Sequence, residues 1–376
     1  MIVPRPEVSG TGFATHGGRH AMSSANPARY DFSVCLNAYG ASDIVREAIR
    51  SAAFDEYPDP HATVPRLAAA ARWDRPITEL LFAAGAAELI HLVCFAYLRP
   101  GDSVAIVTPA FGEYERATRL CGAQPFSVDS RSADGEDLDI VIPLCDAIRR
   151  QHPRLGFLCT PMNPTGRRLS RDAVTAIADV CAAEGTLLVV DQAYEAFVDT
   201  PDGTPMLPGH PAVLHLRSIT KDHALAGVRA AFAVAPANVI GALAAVQLPW
   251  STSAAAQSAG TAAMTDAAQA YVRRSTATLR ADTGYLIEAI SGLGYPVRPS
   301  STHFFVIDVG HATACRDTFL GDRQLLVRDC TSFGLPALIR VAARTPDDNR
   351  ALVDALTWWS TSRAASSVLP SSFSYV

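Results

Sequence analysis

The run Leu187-Leu188-Val189-Val190-Asp191 constrains this chain more than any other stretch of its sequence. Its apolar residues are continuous, without the alternation of a strand that keeps one face in water, so both faces must be covered. That demand points to a sheet enclosed between helices. The run ends in an acid, and the carboxyl ends of strands are where open α/β sheets bind ligands. From residue 31 to about residue 250 the sequence alternates helical and strand patterns, which suits an α/β fold with a mixed sheet and helices on both faces.

At 376 residues the chain exceeds one ordinary domain. Residues 1–30, rich in Gly, Pro and Ser, read as an arm that wraps over a site or a partner. Residues 31–250 form the large domain and 251–363 a smaller α+β domain. The small domain is expected to open with an alanine-rich helix over 253–292 and to hold strands near 304–309, 325–328 and 338–343. The serine-rich stretch 364–376 reads as a disordered tail. A net charge of −5 offers no basic field for nucleic acid. The eight cysteines form no CxxC pair and no metal-like grouping with histidine, so they read as reduced thiols and no metal is expected. With no apolar run of membrane-spanning length and no basic-then-apolar leader, the expected location is the cytoplasm.

Lysine occurs once, at Lys221, among 31 arginines. Either cation solvates a surface, but only a partly buried ammonium gives up its proton near neutral pH and attacks a carbonyl. Lys221 is therefore a candidate Schiff-base nucleophile, against the alternative of a chance surface survivor. Its setting decides between them: Ser218-Ile219-Thr220-Lys221, with Arg229 eight residues on. Upstream stand Asn163-Pro164-Thr165-Gly166 after an apolar stretch, Asp191-Gln192-Ala193-Tyr194 at the end of the buried strand, and a glycine turn, Gly85-Ala86-Ala87, opening a helix. A helix start offers free N–H groups to an anion. Pro109-Ala110-Phe111-Gly112-Glu113-Tyr114 follows a strand pattern over 104–107.

Together these segments resemble the fold type I pyridoxal-phosphate enzymes, in particular histidinol-phosphate aminotransferase and threonine-phosphate decarboxylase. The resemblance covers nearly the whole chain and implies a large domain with a mostly parallel sheet sandwiched by helices. It implies that pyridoxal 5′-phosphate is the cofactor, attached to Lys221. Asp191 would keep the pyridine nitrogen protonated, Asn163 and Tyr194 would bond the phenolic oxygen, and Phe111 would stack on the ring. Gly85, Ala86, Ala87, Ser218 and Arg229 would hold the phosphate. Tyr57, in Tyr57-Pro58, would reach the phosphate in a neighbouring subunit, which implies a homodimer with shared sites. Gln192 stands where the family has Glu, and Tyr114 is expected to serve only in packing.

On the substrate side, Arg340 resembles the arginine that forks an α-carboxylate. Arg328 matches a distal-anion arginine, and Arg344, on the same strand face as Arg340, reads equally as a substrate contact or as solvent-facing. Thr15-His16-Gly17-Gly18-Arg19 and Asp31-Phe32-Ser33-Val34-Cys35-Leu36-Asn37-Ala38-Tyr39-Gly40 resemble two segments of the decarboxylase branch and make His16, Asn37 and Tyr39 substrate-side candidates. Arg19 and Ala38 depart from that branch at its Asn and Pro. The cofactor breaks whichever α-carbon bond is held perpendicular to its ring, so these motifs do not name the reaction. Transamination of a small L-amino acid is the first expectation, and decarboxylation of a phosphorylated or acidic amino acid the second. Elimination, replacement and oxygen-dependent oxidation remain open. A ligand sensor fused to a DNA-binding module is disfavoured because the arm is too short to form such a module.

Overall fold

The computed structural model describes residues 2–18, 28–130, 136–199 and 207–367, and the statements below concern these. Arg19 and the expected tail beyond residue 367 lie outside the described residues.

A short strand, β1 (Tyr30–Asp31), precedes the main sheet. The sheet itself is built from β2 (Leu80–Ala83), β3 (Ser103–Thr108), β4 (Gln124–Asp129), β5 (Leu155–Cys159), β6 (Leu187–Asp191), β7 (Val213–Ser218) and β8 (Ala231–Val234), in the order β2-β8-β7-β6-β5-β3-β4. Only β8 runs against its neighbours. The carboxyl ends of β2, β3, β5, β6 and β7 therefore share one edge. Strand β6 shows why an unalternated apolar run was required: Leu187 and Val189 enter one core and Leu188 and Val190 the other. The first core is covered by the helices Ala86–Tyr97 and Ala237–Val246, the second by Leu138–Gln151 and Arg171–Glu184. Strand β6 thus fills two layers at once.

The C-terminal part carries an antiparallel three-stranded sheet of β9 (Phe304–Asp308), β11 (Arg328–Asp329) and β12 (Leu338–Ala342), while β10 (Leu325–Leu326) pairs in parallel with β1. The strand expected over 325–328 is thus two strands in two sheets, divided at Val327. Phe32 and Cys35 pack into the same cluster as Phe304 and Phe319, so the residues after β1 join the C-terminal core. The helix expected over 253–292 is two helices, Ala254–Ala263 and Asp266–Gly292. The Thr265 hydroxyl accepts from Ala268 N at 3.3 Å and caps the second, and this local bond competes with continuing the first. A final helix, Pro346–Ser367, runs into the stretch expected as tail. Among the described residues no helix is long and apolar enough to cross a membrane.

Candidate active site

Five strand ends deliver the cofactor candidates to one edge of the sheet, where a cavity of about 540 Å³ opens. Lys221, Asn163, Tyr194, Phe111, Ala87 and Arg229 all line it. Lys221 is half-buried, and burial holds its ammonium below the ordinary lysine range; Arg229 and Arg340 push the same way, Cys35 and Asp191 against it. Its backbone carbonyl accepts from Asn37 N at 2.9 Å, which fixes the loop after β7. Ser218 is buried, with its Oγ 2.6 Å from Thr220 Oγ1.

Asp191 is buried at the end of β6. Its Oδ1 accepts from Ala193 N at 3.0 Å and its Oδ2 from the Tyr114 hydroxyl at 2.7 Å. Burial raises its carboxyl above the usual range, opposed by the Tyr114 and Ala193 hydrogen bonds and by Lys221. Tyr114 is therefore a site residue, contrary to the expectation that it only packs. Its ring does pack, stacked on Phe157 at 4.8 Å, but its hydroxyl is spent on the buried acid. Tyr194 is buried with its ring edge-on to Phe304 at 4.7 Å, and Asn163 Oδ1 accepts from Arg340 Nη1.

Gly85 stands just before the helix Ala86–Tyr97, at φ +94°, and no side chain caps the helix start. A Cβ there would fall 2.6 Å from Arg229 Nη2, so glycine is needed for both the turn and the approach of the guanidinium. Arg229 itself is exposed, and its Nη1 donates to Ala226 O at 3.1 Å.

Arg340 and Arg328 are buried wall residues of the cavity and direct cross-strand partners on β12 and β11. Arg340 Nη2 donates to Ser33 O at 2.5 Å; Arg328 Nη2 donates to Thr15 O at 2.9 Å and to Ser332 Oγ at 2.8 Å. His16 lines the cavity too, its ring 5.4 Å from that of Phe111.

Three substrate candidates are not among the residues lining the cavity. Asn37 is a structural residue: its Nδ2 donates to Asp222 O at 2.9 Å and Ser275 Oγ at 2.8 Å. Tyr39 donates its hydroxyl to Asp282 Oδ2 at 2.5 Å, and burial together with that acid pushes its pKa up to about 12. Arg344 lies past the end of β12, so strand periodicity no longer governs it, and its Nε donates to Asp348 Oδ2 at 2.8 Å. Tyr57 is 84% exposed, 5.2 Å from the Trp250 ring, and likewise does not line this chain's cavity. Besides Tyr114, sequence reasoning missed Cys35 and Glu113 in the wall. Glu113 stood in the Phe111 segment, and its position on a helix opening at a strand end was the available signal.

A family model described as Aminotransferase class I and II matches residues 32–356. The histidinol-phosphate aminotransferase of Symbiobacterium thermophilum is 34% identical over 328 residues, 85% of this chain and 87% of that protein. The solved histidinol-phosphate aminotransferase of Sinorhizobium meliloti, in complex with pyridoxal-5′-phosphate, superposes with a TM-score of 0.87 at 22% identity, covering 95% of this chain and 97% of that one. L-threonine-O-3-phosphate decarboxylase from Porphyromonas gingivalis gives a TM-score of 0.76 at 25% identity, with 88% and 99% covered. The chain belongs to the aminotransferase class I and II family.

It is an aminotransferase-family enzyme with pyridoxal 5′-phosphate as its cofactor. The residues fit that group. A buried carboxylate, a half-buried amine held below its usual pKa and an uncapped helix start at a glycine turn stand at one sheet edge, as a ring nitrogen, an aldehyde and a phosphate require.

Proposed function

We propose that this chain transaminates a small amine bearing a dianionic group, with L-histidinol phosphate, the compound named in its relatives, as the leading substrate. One observation carries the reading. Arg328 and Arg340 face each other across the β11–β12 pair, both buried and both in the cavity wall. Like charges directly opposite destabilise a strand pair, and a phosphate placed between them would turn that repulsion into two charge-assisted contacts.

Bound at the sheet edge, pyridoxal phosphate supplies an electron sink for the charge left when a bond to the substrate's α-carbon breaks. The protein does the rest. Lys221 Nζ, whose burial favours the neutral amine, would take the α-proton as general base and then, as general acid, give it up at the cofactor rather than at the α-carbon. Asp191, oriented by Tyr114 and Ala193 N–H, holds the proton on the ring nitrogen. Asn163 and Tyr194 would bond the phenolic oxygen, Phe111 would cover the ring, and Gly85, Ala86, Ala87, Ser218 and Arg229 would hold the phosphate. Arg340, Arg328 and His16 receive the substrate.

The same reading takes residues 31–250 as the cofactor domain, 251–363 as the small domain and 1–30 as an arm. It takes the enzyme as a homodimer in which the exposed Tyr57 reaches the partner's site, and the eight free thiols support a reducing, cytoplasmic setting. The test is a panel of amino donors with the holoenzyme, read as conversion to pyridoxamine phosphate plus a carbonyl product. Arg328→Ala should penalise phosphorylated donors far more than neutral ones, because it leaves a desolvated anion short of a partner. Equal loss across the panel, or release of carbon dioxide with a retained amine, would overturn the reading.

A further inference from the structure

Glu113 is the unabsorbed feature of the cavity wall. It is buried in the helix Gly112–Leu120, yet its carboxylate meets three polar side chains. Oε2 lies 3.0 Å from His91 Nε2 and 3.3 Å from Arg116 Nη1, while Oε1 lies 3.1 Å from Nε2 of His16. The first two partners come from the same packed helix pair as Glu113, so Oε2 is occupied locally. Oε1 is given to a residue 97 positions away, on the arm.

The arm segment is tied down on both sides of the opening. Arg116 Nε donates to Gly12 O at 3.1 Å, with its guanidinium 5.2 Å from the centre of the Phe13 ring. Arg328, from the C-terminal sheet, donates to Thr15 O, and Gly18 N donates to Ser33 Oγ at 2.8 Å. Among the described residues, His16 makes the one contact from a side chain of this stretch to a buried charge. The others use arm backbone or a ring face, which hold a segment without selecting which side chain faces inward.

We propose that Glu113 is a specificity-determining positioning residue, which through His16 holds arm residues 12–18 as a wall of the cavity and so sets the binding of the substrate's outer end. The proposal rests on this cavity being the substrate site. It predicts that His16 and Glu113 act as one unit and matter more for donors long enough to reach the arm.

The experiment uses holoenzyme with His16→Ala, Glu113→Gln and the double variant. His16 is on the exposed arm, so its removal keeps the test valid even if the Glu113 variant folds poorly. Chymotryptic cleavage after Phe13, whose side chain is exposed, reports arm release without any substrate. Each single variant should be cut about tenfold faster, the lower range for losing a hydrogen bond to a charged group, and the double variant no faster than the faster single. KM for L-glutamate, a donor with a distal carboxylate, should rise about tenfold with a smaller change in kcat, and both should change less for L-alanine. Unchanged cleavage in both single variants overturns the proposal, as does an equal kinetic loss for L-alanine. An enzyme that transaminates neither these donors nor L-histidinol phosphate overturns the functional reading instead, and the cleavage rates alone then decide for or against the arm.

Discussion

Tyr114→Phe isolates one hydrogen bond at the centre of the site. The phenylalanine ring keeps the stack on Phe157, at 4.8 Å and 9° between planes, so the packing of a fully buried side chain survives. What is lost is the 2.7 Å donation to Asp191 Oδ2, leaving that oxygen buried with only the Ala193 amide bonded to its partner oxygen. A hydrogen bond to a charged group contributes about 1.5–3 kcal/mol, which corresponds to about 10- to 150-fold in an equilibrium or a rate. The Tyr114 bond is the largest influence opposing the burial that raises the Asp191 carboxyl, so its removal raises that group further. In the role proposed for it Asp191 works as the anion, so a higher pKa moves the acid limb of activity to higher pH. The assay is cofactor titration of the apoenzyme together with kcat across pH 5–9. The variant should lose about tenfold or more in the combined cofactor affinity and turnover, with the acid limb displaced upward. A combined loss under about threefold, or a uniform loss with an unmoved limb, would refute the role given to the hydroxyl.

Gly85→Ala should weaken cofactor binding by at least about tenfold, since an alanine at φ +94° is strained by ~1–3 kcal/mol and its Cβ would displace Arg229. Gly241→Ala, in a helix with open space around it, is the control, and matching affinities in the two variants would dismiss the turn as a phosphate cradle. His303 concerns stability rather than catalysis. It is fully buried, with neither ring nitrogen hydrogen-bonded among the described residues, and burial pushes its pKa down to about 3 from 6.5. Above pH 6.5 neither state takes the proton; below it the unfolded chain does and the folded one refuses until about pH 3. Stability therefore falls with pH across that window by up to about 1.4 kcal/mol per unit from this residue. Urea unfolding between pH 7 and pH 5 should show a shallower decline for His303→Leu, and an identical decline would reject the account.

The cofactor half of the site was legible because its residues stand at strand ends, where a local pattern of apolar run, turn and polar residue already says which edge they occupy. Lys221, Asp191, Asn163 and Gly85 are of this kind. The substrate half was not, because motif adjacency does not say which way a side chain turns. Asn37 and His16 were proposed on equal grounds, yet one ties the Lys221 loop to the helix Asp266–Gly292 and the other meets Glu113 across the cavity. Arg344 failed because strand periodicity was extended past the last strand residue. Tyr114 and Glu113 escaped for a different reason. Their partners, Asp191 and His16, lie far off in the chain, and no local period encodes a contact from a helix to the end of a strand two places from the one it follows, or to the arm. The helix expected over 253–292 was broken by one threonine hydroxyl, a competition that composition conceals.

The pairing of β1 with β10 joins residues roughly three hundred positions apart, and it decides when this protein can first be whole. During synthesis the seven-stranded sheet is complete once β8 has emerged, so the cofactor edge forms while the C-terminal third is still unmade. Tyr30 and Asp31 must wait for Leu325 and Leu326, and until they arrive Phe32 and Cys35 lack the core they finally join. A nascent chain at that stage carries Lys221 on a loop not yet tied through Asn37 to the helix Asp266–Gly292, and both Arg328 and Arg340 are still to be made.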